Sequence, residues 1–171
     1  MNHNLRYGLY LGLITVAFQI ALFFIDYKLT LQPGISWIPF AITVAILIIA
    51  GRDLREQQGG YLPFKEAFVS SYIIYLIGAV ITTLYVILQY NVFSPEAAAD
   101  LQRETLNQTV KMLEGFGMDD QTIDQAVAEA EKTNPYGVSS QFIALGVNAL
   151  IGLVVCLIIG AIVKKNKPEF E

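Results

Sequence analysis

Residues 138–163 read VSSQFIALGVNALIGLVVCLIIGAIV, and Lys164 and Lys165 follow them directly. The stretch contains no Asp, Glu, Lys, Arg or His. About 20 apolar residues are enough for a helix to cross the hydrocarbon core of a bilayer. A backbone in hydrocarbon has no water to bond, so it must satisfy its own N–H and C=O groups, as a helix does. The stretch therefore predicts a membrane-spanning helix, and it decides the fold class.

Three earlier stretches have the same character, and they cover residues 7–25, 35–51 and 68–90. The second is the shortest and contains Pro39, which we place in the first turn of a short span, with Trp37 at the membrane interface. A re-entrant hairpin is the alternative for this stretch. We favour the span because the distribution of charge agrees better with an even number of crossings.

The composition of the whole chain agrees with a membrane protein. Of its 171 residues, 54% are hydrophobic and only 15% are charged, whereas soluble domains carry about 25% charged residues. This excludes a disordered tail, a nucleic-acid binder, a coiled coil and an ordinary cytosolic globule. We expect an all-α polytopic membrane protein, with four transmembrane helices in a bundle that forms a single membrane domain over residues 1–171.

The basic residues are unevenly divided between the two sides of such a bundle. Seven share a side with the chain ends and four lie on the other side. The seven are Arg6, Arg52, Arg55, Lys65, Lys164, Lys165 and Lys167, and the four are Lys28, Arg103, Lys111 and Lys132. Because basic residues mark cytoplasmic loops, we expect the N- and C-termini in the cytoplasm. No small-x-small cleavage site follows the first stretch, so we interpret it as a retained helix rather than a signal peptide.

The third connection, residues 91–137, is a long insert that we expect on the extracytoplasmic side. It has three basic residues and nine acidic ones. The acidic residues are Glu96, Asp100, Glu104, Glu114, Asp119, Asp120, Asp124, Glu129 and Glu131. Residues 94–96 (SPE) are typical of a helix start, residues 115–117 (GFG) of a helix end, and Asp119 or Asp120 of a second helix cap. We therefore predict an acidic, solvated helical hairpin, with binding of a cationic ligand or basic partner as the alternative.

Residues that usually carry enzyme or metal chemistry are scarce. Cys156 is the only cysteine and His3 the only histidine, and we expect His3 to lie outside ordered structure. A disulfide within the chain, a thiolate zinc site and a Ser–His–Asp triad therefore lack their residues. The span interiors hold no charged residue, which argues against proton-coupled or ion-coupled transport. We expect no enzyme activity, no catalytic residue, no cofactor and no metal.

Small and polar residues recur at helical spacing inside the spans. The third stretch carries them at a heptad period, the fourth carries them every four residues, and the first supplies an amide. The set is Gln19, Ser71, Tyr75, Gly78, Thr82, Tyr85, Gln89, Asn148, Gly152, Cys156 and Gly160. Close backbone approach and interhelical hydrogen bonds hold membrane helices together, so we interpret these faces as the bundle interior. A substrate path and a face for another membrane subunit are the alternatives.

Several short motifs, taken in order, resemble a known family. They are residues 6–8 (RYG), 59–60 (GG), 64–68 (FKEAF), 94–96 (SPE) and 164–165 (KK). Their order and spacing resemble domain-of-unknown-function family 4199, small four-span inner-membrane proteins found mainly in Bacteroidota. The resemblance implies a bacterial inner-membrane location and a four-span topology. It implies no activity, cofactor or catalytic residue.

The function expected from these observations is that of a non-enzymatic membrane scaffold or accessory subunit, with the small-residue faces as a route to oligomers. The alternative is a small transporter or channel for a neutral or weakly polar solute. The partners expected are the lipid bilayer and either a second copy of the chain or another membrane protein. We expect no nucleic acid.

Overall fold

The computed structural model describes residues 2–167, and this part of the chain is helical almost throughout. It contains six α-helices, a 3₁₀ turn after the first and a π-helical turn after the third. The α-helices are α1 (His3–Asp26), α2 (Pro33–Gln57), α3 (Phe64–Leu88), α4 (Pro95–Gly115), α5 (Asp120–Glu131) and α6 (Val138–Val163). The 3₁₀ turn covers Tyr27–Leu31 and the π-helical turn covers Gln89–Phe93.

Four helical segments are long and apolar enough to cross a membrane, at His3–Leu31, Gly34–Gln57, Phe64–Phe93 and Val138–Val163. Their outward faces are rich in exposed apolar side chains, as expected where lipid is the solvent. The prediction of an all-α polytopic bundle is confirmed. The helices at the first and third positions extend beyond the apolar stretches because polar residues continue the helix outside the hydrocarbon.

The second segment is one uninterrupted helix of 25 residues, without the reversal that a re-entrant hairpin requires. At 1.5 Å per residue it is about 37 Å long. Pro33, rather than Pro39, occupies the first turn, so our placement of Pro39 was wrong. Pro39 lies inside the helix, where its missing N–H leaves the carbonyl of Ile35 without the usual partner.

Helix α3 is the centre of the bundle, with α1 packed on one side and α6 on the other. Glycines bring the backbones together. On the α1 side, a Cβ built on Gly8 would lie 2.6 Å from Ile77, and one built on Gly78 would lie 2.8 Å from Leu11. On the α6 side, a Cβ on Gly160 would lie 3.1 Å from the backbone of Phe68. These distances leave no room for a side chain, so the close approach depends on glycine.

Helix α2 joins this arrangement mainly through its second half. Leu47 and Ala50 are fully buried, and Gly51 packs against Val163 of α6. At the same end, Leu62 and Lys165 exchange two backbone hydrogen bonds of 2.8 Å, which tie the α2–α3 connection to the segment after α6. The first half of α2 is less buried than the second, and a space lies beside it.

Helices α4 and α5 form the hairpin predicted for the acidic insert. Asp119 caps α5, its side chain accepting a hydrogen bond from the Thr122 N–H at 3.2 Å. Ser94 occupies the N-cap position of α4 but makes no side-chain cap bond there, because its hydroxyl accepts instead from Gln89 at 3.2 Å. The connection between the helices includes Gly117 at φ +72°, a conformation suited to glycine.

Candidate functional site: an interhelical cavity

The space beside the first half of α2 is a cavity of about 380 Å³ lined by residues of all four long helices. We call it the inner cavity. Its lining mixes apolar residues with neutral polar ones. The polar and small residues lining it are Thr15, Gln19, Thr43, Tyr75, Gly78, Thr82, Thr83, Gln141 and Asn148. Its position inside a four-helix bundle is typical of ligand sites in bundle proteins.

A second cavity of about 280 Å³ lies next to the first, towards the hairpin. We call it the outer cavity. The two share Gln19, Pro39 and Val86, so Gln19 stands at their junction. The outer cavity is more aromatic, with Phe18, Phe23, Tyr85, Tyr90 and Tyr136 in its lining. The two cavities are therefore adjacent, with the inner one in the middle of the bundle and the outer one nearer its hairpin end.

Some polar groups of the inner cavity are satisfied by the helices themselves. The hydroxyls of Thr15 and Thr43 donate to the carbonyls of Leu11 (2.8 Å) and Pro39 (2.9 Å). The Tyr75 hydroxyl donates to the Asn148 carbonyl at 3.0 Å and thereby links α3 to α6. These bonds rigidify the wall and leave the other polar groups to face the space.

The side-chain amides of Gln19 and Asn148 make no hydrogen bond within residues 2–167, and neither do the hydroxyls of Thr82 and Thr83. The Gln19 side chain is half-buried and Asn148 is exposed. The cavity therefore presents donors and acceptors that are available to a bound molecule. No Asp, Glu, Lys, Arg or His is found among the lining residues of the two cavities. The site is uncharged and only partly polar.

The structure separates the eleven predicted site residues into two groups. Gln19, Tyr75, Gly78, Thr82 and Asn148 line the inner cavity, and Tyr85 joins Gln19 in the outer one.

The remaining members lie in helix packing or beyond the cavities. Ser71 is 2% exposed and Cys156 is fully buried. Gly152 lies against the Tyr75 ring and Gly160 against the α3 backbone. Gln89 lies in the π-helical turn and donates to Ser94 at 3.2 Å. The small residues therefore bring α3 and α6 together, while several polar residues face the space beside α2.

The glycine faces are occupied within one chain. Gly8 and Gly12 contact Ile77 and Ile81, and Gly152 and Gly160 contact Tyr75 and Phe68. Within one chain these glycines therefore lie against α3, and oligomerisation stays a prediction.

A polar cluster at the opposite end of the bundle was not predicted. Oδ2 of Asp53 accepts from Arg6 (2.7 Å), Tyr7 (3.0 Å) and Gln57 (3.0 Å). Nδ1 of His3 lies 3.5 Å from the same oxygen.

Our expectation that His3 lies outside ordered structure was wrong, because His3 begins α1 and its side chain is only 10% exposed. One signal was present in the sequence: Arg6 precedes the first apolar stretch and Asp53 follows the second, so antiparallel packing brings the opposite charges together. The cluster fastens α1 to α2. Within residues 2–167, no group of three or more His, Cys, Asp or Glu could hold a metal ion.

The hairpin is fastened over the other end by a second set of polar contacts. Oδ2 of Asp100 accepts from Lys28 Nζ (3.0 Å) and from the Tyr27 hydroxyl (2.8 Å). The Lys28 hydrogen bond, followed by that of Tyr27, holds the pKa of Asp100 below its usual value. Burial raises the pKa of Tyr136, so this hydroxyl at the outer cavity stays neutral at physiological pH.

Comparison with known proteins identifies a family but gives no activity for it. No curated protein and no solved structure matches the chain. One family model, described as "Protein of unknown function (DUF4199)", matches residues 6–165. This range contains both cavities and the hairpin. With nearly its whole length matched, the chain belongs to the DUF4199 family.

Proposed function

We propose that this protein is a non-enzymatic membrane transporter or channel that binds a small neutral solute in the inner cavity. The observation that carries this proposal is that Gln19 and Asn148, whose side-chain amides bond no other residue within 2–167, both line a 380 Å³ cavity between the helices. Amides offer both donors and acceptors. A solute bearing hydroxyl, amide or carbonyl groups matches them.

The polarity of the cavity favours such a solute over a lipid tail. A hydrocarbon chain would offer the amides of Gln19 and Asn148 no hydrogen bond. Water or a polar solute would satisfy them. The absence of charged residues from the lining of both cavities favours a neutral solute, because an ion would meet no counter-charge there.

Proteoliposomes test the proposal with glycerol and urea as neutral probes. We expect the full chain to accelerate the volume recovery of vesicles after osmotic shock, measured by light scattering. Gln19→Leu and Asn148→Leu should return the rate to that of empty vesicles. Gln89→Leu is the matched control, since Gln89 lies outside both cavities and donates to Ser94. Rates unchanged in the two cavity variants would refute the proposal.

An accessory-subunit or scaffold role is the second candidate, and the hairpin carries the observation in its favour. Met112, Phe116 and Met118 are exposed at the hairpin tip, with Phe116 73% exposed. Apolar side chains grouped on a polar hairpin are typical of protein contacts. A photo-crosslinking residue at Phe116 in native membranes, with one at Glu114 as control, should capture a specific neighbour. Equal capture from both positions would argue against this role.

We further propose that the protein lies in the bacterial inner membrane with both chain ends in the cytoplasm. The excess of basic residues on the side of the chain ends supports this orientation. A C-terminal tag should be protected from protease added to intact spheroplasts, while a tag at Phe116 is cleaved. Cleavage of the C-terminal tag in intact spheroplasts would show that the proposed orientation is wrong.

A further inference from the structure

Two tyrosine rings from different segments line the outer cavity side by side. Tyr90 belongs to the π-helical turn, and Tyr136 lies just before α6. Their ring centroids are 4.7 Å apart, with the planes inclined at 49°. Both rings are half-buried, and both line the cavity. A solute moving from the hairpin side towards Gln19 would therefore pass this pair.

The π-helical turn accounts for the position of Tyr90. The Ser94 N–H donates to the Gln89 carbonyl at 2.8 Å, five residues back, which defines the wide turn. Such turns are rare and occur often at functional sites, because the extra residue changes the direction of the side chains around it. Here the turn lies between the span of α3 and the hairpin, at the rim of the outer cavity.

One side chain connects the two segments. The Asn91 amide donates to the Ile87 carbonyl at 3.0 Å and to the Tyr136 carbonyl at 2.8 Å. It therefore fixes the backbone of Tyr136 to the turn that carries Tyr90. The opposite wall of the outer cavity includes Thr30 and Leu31 of the 3₁₀ turn. The rings are held by their backbones rather than by their hydroxyls, which make no hydrogen bond within residues 2–167.

We propose that Tyr90 and Tyr136 form an aromatic constriction that controls access from the hairpin side to the inner cavity. The identity of the solute rests on the function proposed above, whereas the constriction itself can be tested without any solute. The two rings block the path of bulky molecules, and their neutral hydroxyls offer hydrogen bonds to small polar ones. They are specificity-determining residues for what reaches Gln19.

Cysteine accessibility tests the constriction in the full chain, reconstituted in lipid nanodiscs. The reporter is Thr82→Cys in the inner cavity, in a Cys156→Ala background, so that it is the only thiol. The probe is trimethylammonium-ethyl methanethiosulfonate, a cationic reagent that reaches the cavity from water and not through lipid. The measurement is the rate at which the reporter is labelled, followed by mass spectrometry.

We expect Tyr90→Ala and Tyr136→Ala to raise the labelling rate about three- to tenfold, the change that loss of an aromatic pair makes to a local opening equilibrium. Tyr90→Phe and Tyr136→Phe keep the rings and should leave the rate near that of the parent. Tyr10→Ala, on an exposed face of α1, is the control for removal of a tyrosine elsewhere.

A second reporter guards against general loosening of the bundle. Native Cys156 is fully buried between α3 and α6, so it should stay unlabelled when Tyr90 or Tyr136 is changed to Ala. Labelling of Cys156, an equal rise with Tyr10→Ala, or an unchanged rate with both alanine variants would each overturn the constriction. If the native chain shows no solute flux but the alanine variants raise the labelling rate, the transport function alone is rejected. If the native chain shows solute flux but the alanine variants leave the labelling rate unchanged, the constriction alone is rejected.

Discussion

At the residue scale, Gly152 sets the distance between α3 and α6. The Tyr75 ring lies where a Cβ at this position would be, so Gly152→Ala forces the ring or the helix to move. Overpacking of this kind costs about 1–3 kcal/mol. We predict a lower unfolding midpoint for Gly152→Ala in a detergent denaturation series.

Gly146→Ala provides the matched control on the same helix. A Cβ at Gly146 would meet no atom within 4 Å, so this change should leave the midpoint unaltered or raise it slightly through helix propensity. Equal destabilisation by both substitutions would mean that α6 tolerates no alanine at either position, and the packing argument for Gly152 would fail.

Asp53 is a second position at which one atom holds several neighbours. Its Oδ2 accepts from Arg6, Tyr7 and Gln57. Asp53→Asn removes the charge that strengthens these bonds, and it should lower the thermal midpoint of the purified protein. Glu56→Gln, on an exposed side chain three residues later, is the control and should have little effect. A midpoint unaffected by Asp53→Asn would show that the cluster contributes nothing to stability.

At the element scale, the helices were predictable because their signals are local. The apolar stretch at 138–163 predicted both bounds of α6, and the proline and glycine residues at the ends of the insert predicted the hairpin. The π-helical turn at Gln89–Phe93 and the pairing of Leu62 with Lys165 were not predictable. Both depend on contacts between segments far apart in the chain, and periodicity within a window carries no information about such contacts.

The attachment of the hairpin should depend on pH through Asp100. Its pKa is lowered in the folded state by hydrogen bonds from Lys28 and Tyr27, so the stabilisation is present above the unfolded pKa of about 3.9. It is lost as the pH falls through the lower, folded pKa, when the carboxylate is protonated. Hydrogen exchange at the first turns of α4 should therefore accelerate at acidic pH relative to the intrinsic rate.

Asp100→Asn separates this effect from general acid unfolding. The variant should show faster hydrogen exchange at the start of α4 already at neutral pH. Its exchange should not accelerate further, relative to the intrinsic rate, when the pH is lowered. Glu114→Gln, near the far end of α4, is the control. If the pH profile of Asp100→Asn matches that of the native chain, another group is responsible for it.

At the scale of the whole molecule, the cavities lay beyond what the sequence could predict. The polar stripe of α3 and the amides of Gln19 and Asn148 were identifiable from spacing, as was the tendency of such faces to turn inwards. The spacing of residues does not reveal whether the helices that face each other pack in contact or leave a gap between them. The space exists because α2 packs by Leu47, Ala50 and Gly51 and stands apart near Pro39, which is a property of the assembled bundle.

A cavity with unpaired polar groups predicts a conflict between stability and function. Gln19→Leu replaces a half-buried amide with an apolar side chain beside a mainly apolar lining, so it should raise the thermal midpoint in detergent while it lowers solute flux. Gln89→Leu loses its bond to Ser94 and should lower the midpoint with flux retained. A fall in both quantities for Gln19→Leu would indicate that the amide supports the fold instead.

The pairing of Leu62 with Lys165 bears on how the chain matures during synthesis. A ribosome releases Leu62 long before Lys165, with the hairpin and α6 still to be made. Throughout that interval the α2–α3 connection lacks the strand partner that the finished protein supplies. This backbone pairing can form only after α6 has been made, so it joins an early segment of the chain to a late one.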